Sequence, residues 1–211
     1  MGNQQHARRS QEERSRTTTN ELVAAARKLF AGDGYTATSL DAICDEIGAS
    51  KGALYHHFKN KRDLFRAVYE AEENRLSSAI AQTFTLYEDP WDGLYEGMRE
   101  FLVMSMEPST QRITLIDAPG ALGWAEMRAI RSDCRRMIAY GLGQVLGKER
   151  TRADVTAVAS MVHGAACESA VALAHADNGE ELLDATLRQF RRLFTSMAED
   201  SAGAAAVAAG S

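Results

Sequence analysis

The chain has 211 residues, 45% hydrophobic and 25% charged, a balance that can build a packed core and excludes a fibrous or low-complexity protein. Three cysteines (Cys44, Cys134, Cys167) are odd in number and widely spaced and contain no C-x-x-C, which argues against a disulfide framework and a structural zinc site. The formal charge of −5 is uneven: residues 1–62 hold ten Lys and Arg against seven Asp and Glu, the remainder fourteen against twenty-two, so only the N-terminal end has a surplus suited to a polyanion.

In chain order, residues 1–16 are polar, charge-rich and without apolar periodicity, and are expected to be a disordered basic arm; Arg8, Arg9, Arg14 and Arg16 could touch phosphates or a minor groove. The opening residues lack the apolar stretch of a signal peptide, and no apolar run reads as long as a membrane span. The expectation is a cytoplasmic protein without membrane contact. A first helix is predicted from Thr18, capped with Glu21, with Leu22, Ala25, Ala26, Leu29 and Phe30 on one face and Gly32 and Gly34 at its end.

Residues 38–61, TSLDAICDEIGASKGALYHHFKNK, predict two short helices joined by a glycine-bearing turn. Leu40, Ile43 and Ile47 share a face; Thr38 with Asp41 forms a capping box; Gly48 ends the helix; Ser50 caps the next. The second helix has few apolar residues (Ala53, Leu54, Phe58) and otherwise shows Lys51, Tyr55, His56 and His57, a surface suited to the DNA major groove. The candidate DNA-contacting residues are Thr38, Ser50, Lys51, Gly52, Tyr55, His56 and Lys61, the last in the first turn of a helix starting at Asn60.

That helix carries Leu64, Val68, Leu76, Ile80 and Phe84 and reads as a connector between two domains. Asp89-Pro90 starts the next, marked by Leu94, Met98, Phe101 and Leu102. After breaks at Pro108 and Ala118-Pro119-Gly120, a long helix is predicted from Trp124 to Leu146, a small-residue helix from Ala153 to Ala176, and a last helix from Glu180 to Ala198. The tail SAGAAAVAAGS reads as disordered. With no strand pattern the fold class is all-α, about nine helices: arm 1–16, helix-turn-helix domain 17–62, effector-binding and dimerisation domain 63–200, tail 201–211.

The pattern SKGALYHHFKNKRDLF resembles the recognition helix, and the start of the helix after it, of the TetR family of bacterial transcriptional regulators. LIDAPGALGWAEMR and HGAACESAVALAHAD resemble the junction before the seventh helix and the eighth helix of one large subgroup. The resemblance implies a three-helix DNA-binding domain on a helical ligand-binding domain. It also implies a homodimer in which the last two helices pair with their twins, and double-stranded DNA with a palindromic operator as partner.

Residues on those two helices suited to such an interface are Ala166, Ala170, Leu183, Leu187, Phe190 and Phe194: small side chains permit close approach and large ones fill the seam. A small hydrophobic or aromatic effector is expected in a cavity near the two breaks, with Met98, Phe101, Trp124, Met127, Arg131, Cys134, His163 and Cys167 as its candidate lining. Further methionines and aromatics (Trp91, Met104, Met137, Met161) and polar groups (Arg128, Glu168) are available to such a cavity.

No metal and no cofactor are expected. His56 and His57 are neighbours on a helix and point about 100° apart, whereas His163 and Cys167, at i and i+4, lack a second ligand pair. Cys44 reads as a small buried hydrophobe. No phosphate loop, nucleophile elbow or paired carboxylates point to an enzyme. The expected function is a repressor released from its operator by the effector. The alternative is a DNA-binding regulator whose C-terminal domain answers to a protein partner.

Overall fold

The computed structural model describes the backbone of residues 2–146 and 150–209, and the side chains of residues 15–146 and 150–200. Every regular element among these is helical, as the periodicity requires. The chain divides into two units, one of residues 1–72 and 112–124, the other of residues 73–111 and 125–211. The sequence-based boundary at 62/63 therefore moves into the middle of a helix, and a later segment returns to the first unit.

In the first unit, α1 (Gly2–Ala37) is interrupted at Gly34, where φ is +85°. The positive φ is what calls for glycine at Gly34; a Cβ there would also require the guanidinium of Arg112 to shift. The helical backbone already spans the region expected to be a disordered arm, and Thr18 does not start a helix; the side chains of Arg8, Arg9 and Arg14 lie outside the described residues. Helices α2 (Leu40–Ile47) and α3 (Lys51–His57) follow. Gly48, left-handed at φ +65°, closes α2 through its N–H to Asp45, while the N–H of Ala49 bonds Cys44. Ser39, not Thr38, caps α2, its hydroxyl accepting from the Ala42 N–H at 3.0 Å. Ser50 caps α3 in the same way through Ala53 at 3.1 Å.

Leu22, Phe30, Ile43, Leu54, Leu64, Phe65 and Tyr69 are fully buried, and Phe30, Tyr35 and Phe65 meet edge-on or tilted with centroids 4.8–5.8 Å apart. The first part of α4 (Lys61–Phe84), started by the Asn60 carbonyl-amide oxygen bonding the Asp63 N–H at 2.9 Å, completes this core. A π-helical stretch (Gln111–Asp117) and α7 (Ala118–Ala121) join it: Asp117 accepts from the Tyr35 N–H at 2.8 Å and from Arg112 at 3.1 Å, and Arg62 donates to the carbonyls of Ala121 and Leu122.

The second unit holds the rest of α4, α5 (Pro90–Ser105), the single turn α6 (Pro108–Thr110), most of α8 (Trp124–Ile130), α9 (Ser132–Val145), α10 (Arg152–Ala174) and α11 (Gly179–Ala209). Asp89 and Pro90 start α5 as expected, Asp89 accepting from the Trp91 and Asp92 N–H groups. Thr151 and Asp154 form a full capping box for α10. The single helix expected from Trp124 to Leu146 is broken at Arg131, which leaves the helical region with ψ at 6°. Helical backbone also continues to Ala209, beyond the predicted end at Ala198; residues 210 and 211 lie outside the described residues. One expectation fails on composition: α10, 23 residues long, is long and apolar enough to cross a membrane by those two criteria. Ala159, Val162, Ala166, Ala170 and Leu173 are nevertheless buried within the unit, where α10 packs on α5, α9 and α11.

Candidate nucleic-acid interface and apolar cavity

The two faces of α3 differ in chemistry. Leu54, with Phe58 just after the helix, is buried in the first unit's core, whereas Lys51, Gly52, Tyr55 and His56 are exposed. These four fall at i, i+1, i+4 and i+5 and so share the outward face. Tyr55 is 56% exposed, a large amphipathic ring left in water. Lys51 pairs with Asp41 across the turn at 2.8 Å, and that hydrogen bond, then the carboxylate's charge, holds its ammonium above the ordinary lysine range. His56 and His57, expected to point apart, meet edge-on with ring centroids 5.0 Å apart; His56 is exposed, whereas His57 is half-buried with Nδ1 3.2 Å from the Thr19 hydroxyl.

Two of the predicted contacts are corrected. Thr38 is buried, and its hydroxyl donates to the carbonyls of Gly34 at 2.8 Å and Leu29 at 3.2 Å, so it braces the end of α1. Lys61 is drawn inward too. Its ammonium donates to the carbonyls of Tyr35 (2.8 Å), Thr38 (3.0 Å) and Thr36 (3.2 Å) and lies 4.6 Å from the Tyr35 ring centroid. A cation in the first turn of a helix looks, in sequence, like a phosphate ligand. Here it satisfies the carbonyls that α1 leaves open. Lys59, exposed just after α3, is a cation that the sequence reading passed over.

In the second unit, α4, α5, α9, α10 and α11 line a cavity of 360 Å³. Of the residues that the sequence offered for an effector cavity, Met98, Phe101, Arg131, Cys134, His163 and Cys167 line it, together with Met137. Trp124 and Met127 do not: Trp124 is 69% exposed at the start of α8 and belongs to the first unit, and Met127 is a buried core residue. Arg128, Glu168 and Met161 are exposed, and Met104 is buried elsewhere in the core. The cavity does not sit at the Pro108 and Pro119 breaks. It follows α4 and α5, where Gly93 and Gly97 pack against Phe84 and Ile80, and where Gly141 of α9 lies against Leu94. A Cβ at Gly141 would come within 2.9 Å of the Leu94 side chain. These glycines, and Glu73, were missed, because a glycine within a helix and an acid on an amphipathic helix carry no signal until the partner helix is placed.

The charged side chains of the cavity wall lie at one end. There Glu73 and Arg131 form an ion pair at 2.8 Å, with side chains only 9% and 10% exposed. Arg131 also reaches Cys167 Sγ at 3.9 Å, and both ring nitrogens of His163 lie 3.7–3.9 Å from the same sulfur. Burial, then the Glu73 charge, pushes the Cys134 thiol up to about 12. Burial likewise raises Cys167. Burial, then the charges of Arg131, Arg135 and Arg128, lowers His163 to about 4. At neutral pH the thiols are protonated and the imidazole is neutral, so neither cysteine is a reactive thiolate. Among the described residues no group of three or more His, Cys, Asp or Glu is placed to hold a metal ion.

The residues proposed for a dimer seam are placed mostly inside the chain itself. Ala166, Ala170, Leu187, Phe190 and Phe194 are buried within the second unit, and Leu183 is half-buried. Phe194 stacks near Trp91 and Phe190 with centroids 6.2 Å away and lines the cavity. Their periodicity was real, but it marked the inward face of the two helices.

Residues 22–68, which contain α2 and α3, match the family model described as bacterial regulatory proteins, tetR family, and residues 91–197 match the tetracyclin repressor-like C-terminal domain. The chain belongs to the TetR family of transcriptional regulators. A crystal structure of a TetR-family transcriptional regulator from Pectobacterium atrosepticum superposes with a TM-score of 0.75 at 30% identity, covering 86% of this chain and 94% of that one. The Transposon Tn10 TetC protein of Escherichia coli is 32% identical over 130 residues, 62% of this chain and 64% of that protein. The transcriptional regulator AcrR of Shigella flexneri is 36% identical over 101 residues, 48% of this chain and 45% of its own length. The matches thus span less than two thirds of these two relatives. FadR from Bacillus subtilis, solved in complex with stearoyl-CoA, shares the fold (TM-score 0.66) at 15% identity, covering 81% of this chain and 96% of that one.

Proposed function

We propose that this TetR-family chain is a cytoplasmic, homodimeric transcriptional repressor that a small apolar ligand in the 360 Å³ cavity releases from its operator. The outward face of α3 carries the DNA half of the reading: Lys51, Gly52, Tyr55 and His56 are exposed side by side on a short helix whose opposite face is locked into the core. Such a helix can enter a major groove, with Lys51 and Tyr55 reaching phosphates or base edges. A two-fold dimer would set two copies of α3 on half-sites one helical turn apart, roughly 34–36 Å, on a palindromic operator. The test is binding of the purified protein to fragments of its own genome, followed by footprinting. A protected palindrome that Tyr55→Ala abolishes supports the reading, and protein that retains no fragment overturns it.

For the dimer, the outward face of α10 replaces the residues first considered. Ala153, Ala157, Met161, Ala165 and Ala172 are exposed on it, and Met161 is 72% exposed. Only 28% of the helix's most apolar stretch is buried within the chain. A small-residue apolar strip of this length allows close packing against its two-fold mate. Leu193, 44% exposed on α11, is a further exposed apolar residue of the last two helices. The small, largely apolar cavity favours a small-molecule signal over a protein partner, because its volume suits a small ligand. Release is a population shift, so the ligand must bind the DNA-incompetent form more tightly.

A further inference from the structure

The two charged side chains of the cavity wall, Glu73 and Arg131, lie at one end and pair with each other. Glu73 and Phe84, both in its wall, are eleven residues apart on α4, roughly 16 Å along the helix axis. Phe84 packs on Gly93 and Gly141 approaches Leu94 at one end, where exposed Tyr140 and Thr85 also line the cavity. Glu73, Arg131, His163, Cys134 and Cys167 form the other end. The cavity of 360 Å³ lies between these two sets of residues.

Charge decides what the Glu73 and Arg131 end accepts. Arg131 is balanced by Glu73 at 2.8 Å with both side chains nearly out of water. An anion placed there would sit beside the Glu73 carboxylate, or displace it and leave it buried without its cation. A cation would face Arg131 with no second carboxylate in the wall. Arg128 and Arg135, the other cations nearby, do not line the cavity. The neutral His163 ring and the two thiols offer hydrogen bonding without charge.

We propose that the effector is an uncharged, mainly apolar molecule with one terminal hydroxyl or carbonyl, bound with that group against Arg131, Glu73 and His163 and its apolar body along α4 toward Phe84. This rests on the cavity being the effector site. Neutral ligands are selected because the cavity's one carboxylate and one cation, Glu73 and Arg131, are already paired.

The experiment is calorimetric titration of the full chain at neutral pH with three probes of one chain length: 1-decanol, decanoate and decylammonium. Decanol should bind at least about tenfold more tightly than either ion. In Glu73→Gln, with Arg131 uncompensated, the order should invert in favour of decanoate. Because Glu73→Gln can lose stability, the paired variant Glu73→Gln with Arg131→Met is the second arm; it keeps the end neutral, and should retain decanol binding while still rejecting both ions. Decanoate binding the native protein as tightly as decanol overturns the charge argument and leaves the cavity reading intact, provided Ala81→Phe, which fills the cavity, abolishes that binding. Binding that persists in Ala81→Phe, or no binding of any probe, overturns the cavity reading and the proposal with it.

Discussion

Lys61 holds Tyr35 twice, through a 2.8 Å hydrogen bond to its carbonyl oxygen and through its ring, whose centroid lies 4.6 Å from the ammonium. With the bonds to Thr36 and Thr38, one side chain at the start of α4 closes the end of α1 and the approach to α2. Lys61→Ala should therefore cost about 2 kcal/mol of stability, within the range for hydrogen bonds to a charged group. The dependence of DNA binding on salt should stay unchanged, since no phosphate contact is lost. Denaturant titration and binding at several salt concentrations check both; unchanged stability with a shallower salt dependence would return Lys61 to the DNA surface.

Tyr55 and Lys51 face water, so their substitution should leave the fold alone and affect DNA. Tyr55→Ala should weaken operator binding by about 1–3 kcal/mol, while stability changes by no more than about 0.5 kcal/mol. Lys51→Ala should weaken specific and non-specific duplexes alike and lower the salt slope by roughly one ion per subunit. Fluorescence anisotropy on operator and scrambled duplexes separates the two.

Met161 and Leu187 test which face of the C-terminal helices meets a second copy. Met161→Asp, at an exposed site, should yield folded monomers that no longer bind the operator. Leu187→Glu, at a buried site, should instead unfold the domain by placing an unpaired charge in the core. Light scattering together with thermal melts distinguishes them. A Met161→Asp protein that remains a dimer would remove α10 from the interface.

Glu73 and Arg131 form a buried pair, so removing either partner should cost about 3–5 kcal/mol, and removing both together far less than the sum. A double-mutant cycle with Glu73→Gln and Arg131→Met, read by denaturant unfolding, measures the coupling. Additive losses would mean that the two charges are independently solvated.

His163 titrates at about 4 in the folded chain against 6.5 when unperturbed. Below pH 6.5 the unfolded chain takes up a proton that the folded one refuses. This residue's contribution is thus fully present above 6.5 and is lost as pH falls from 6.5 toward 4. His163→Gln should flatten the decline of melting temperature across that window relative to the native chain. Parallel declines in the two proteins would show that other groups, chiefly carboxylates, account for it.

Much was legible locally. The stripe from Leu22 to Phe30, the left-handed Gly48, the Ser50 cap and the Asp89-Pro90 start were read correctly, because each depends on residues within a few positions of one another. The exposed Lys51, Gly52, Tyr55 and His56 followed from the same short-range pattern. The cavity was legible only in part: Met98, Phe101, Cys134 and His163 line it, but Trp124 faces water and Met127 sits in the core.

By itself the sequence determined the helical class and the helix-turn-helix, because hydrophobic period, capping and glycine conformation are properties of adjacent residues, and the resemblance of SKGALYHHFKNKRDLF pointed to the family. Only the tertiary structure decided where each chemically capable side chain is used. Lys61 turned to carbonyls 23 to 26 residues away. Glu73 found its cation 58 residues on, and the apolar face from Leu187 to Phe194 turned inward. The reason is physical: a charge or an apolar stripe states what kind of partner it needs, and packing in three dimensions determines which partner comes within reach.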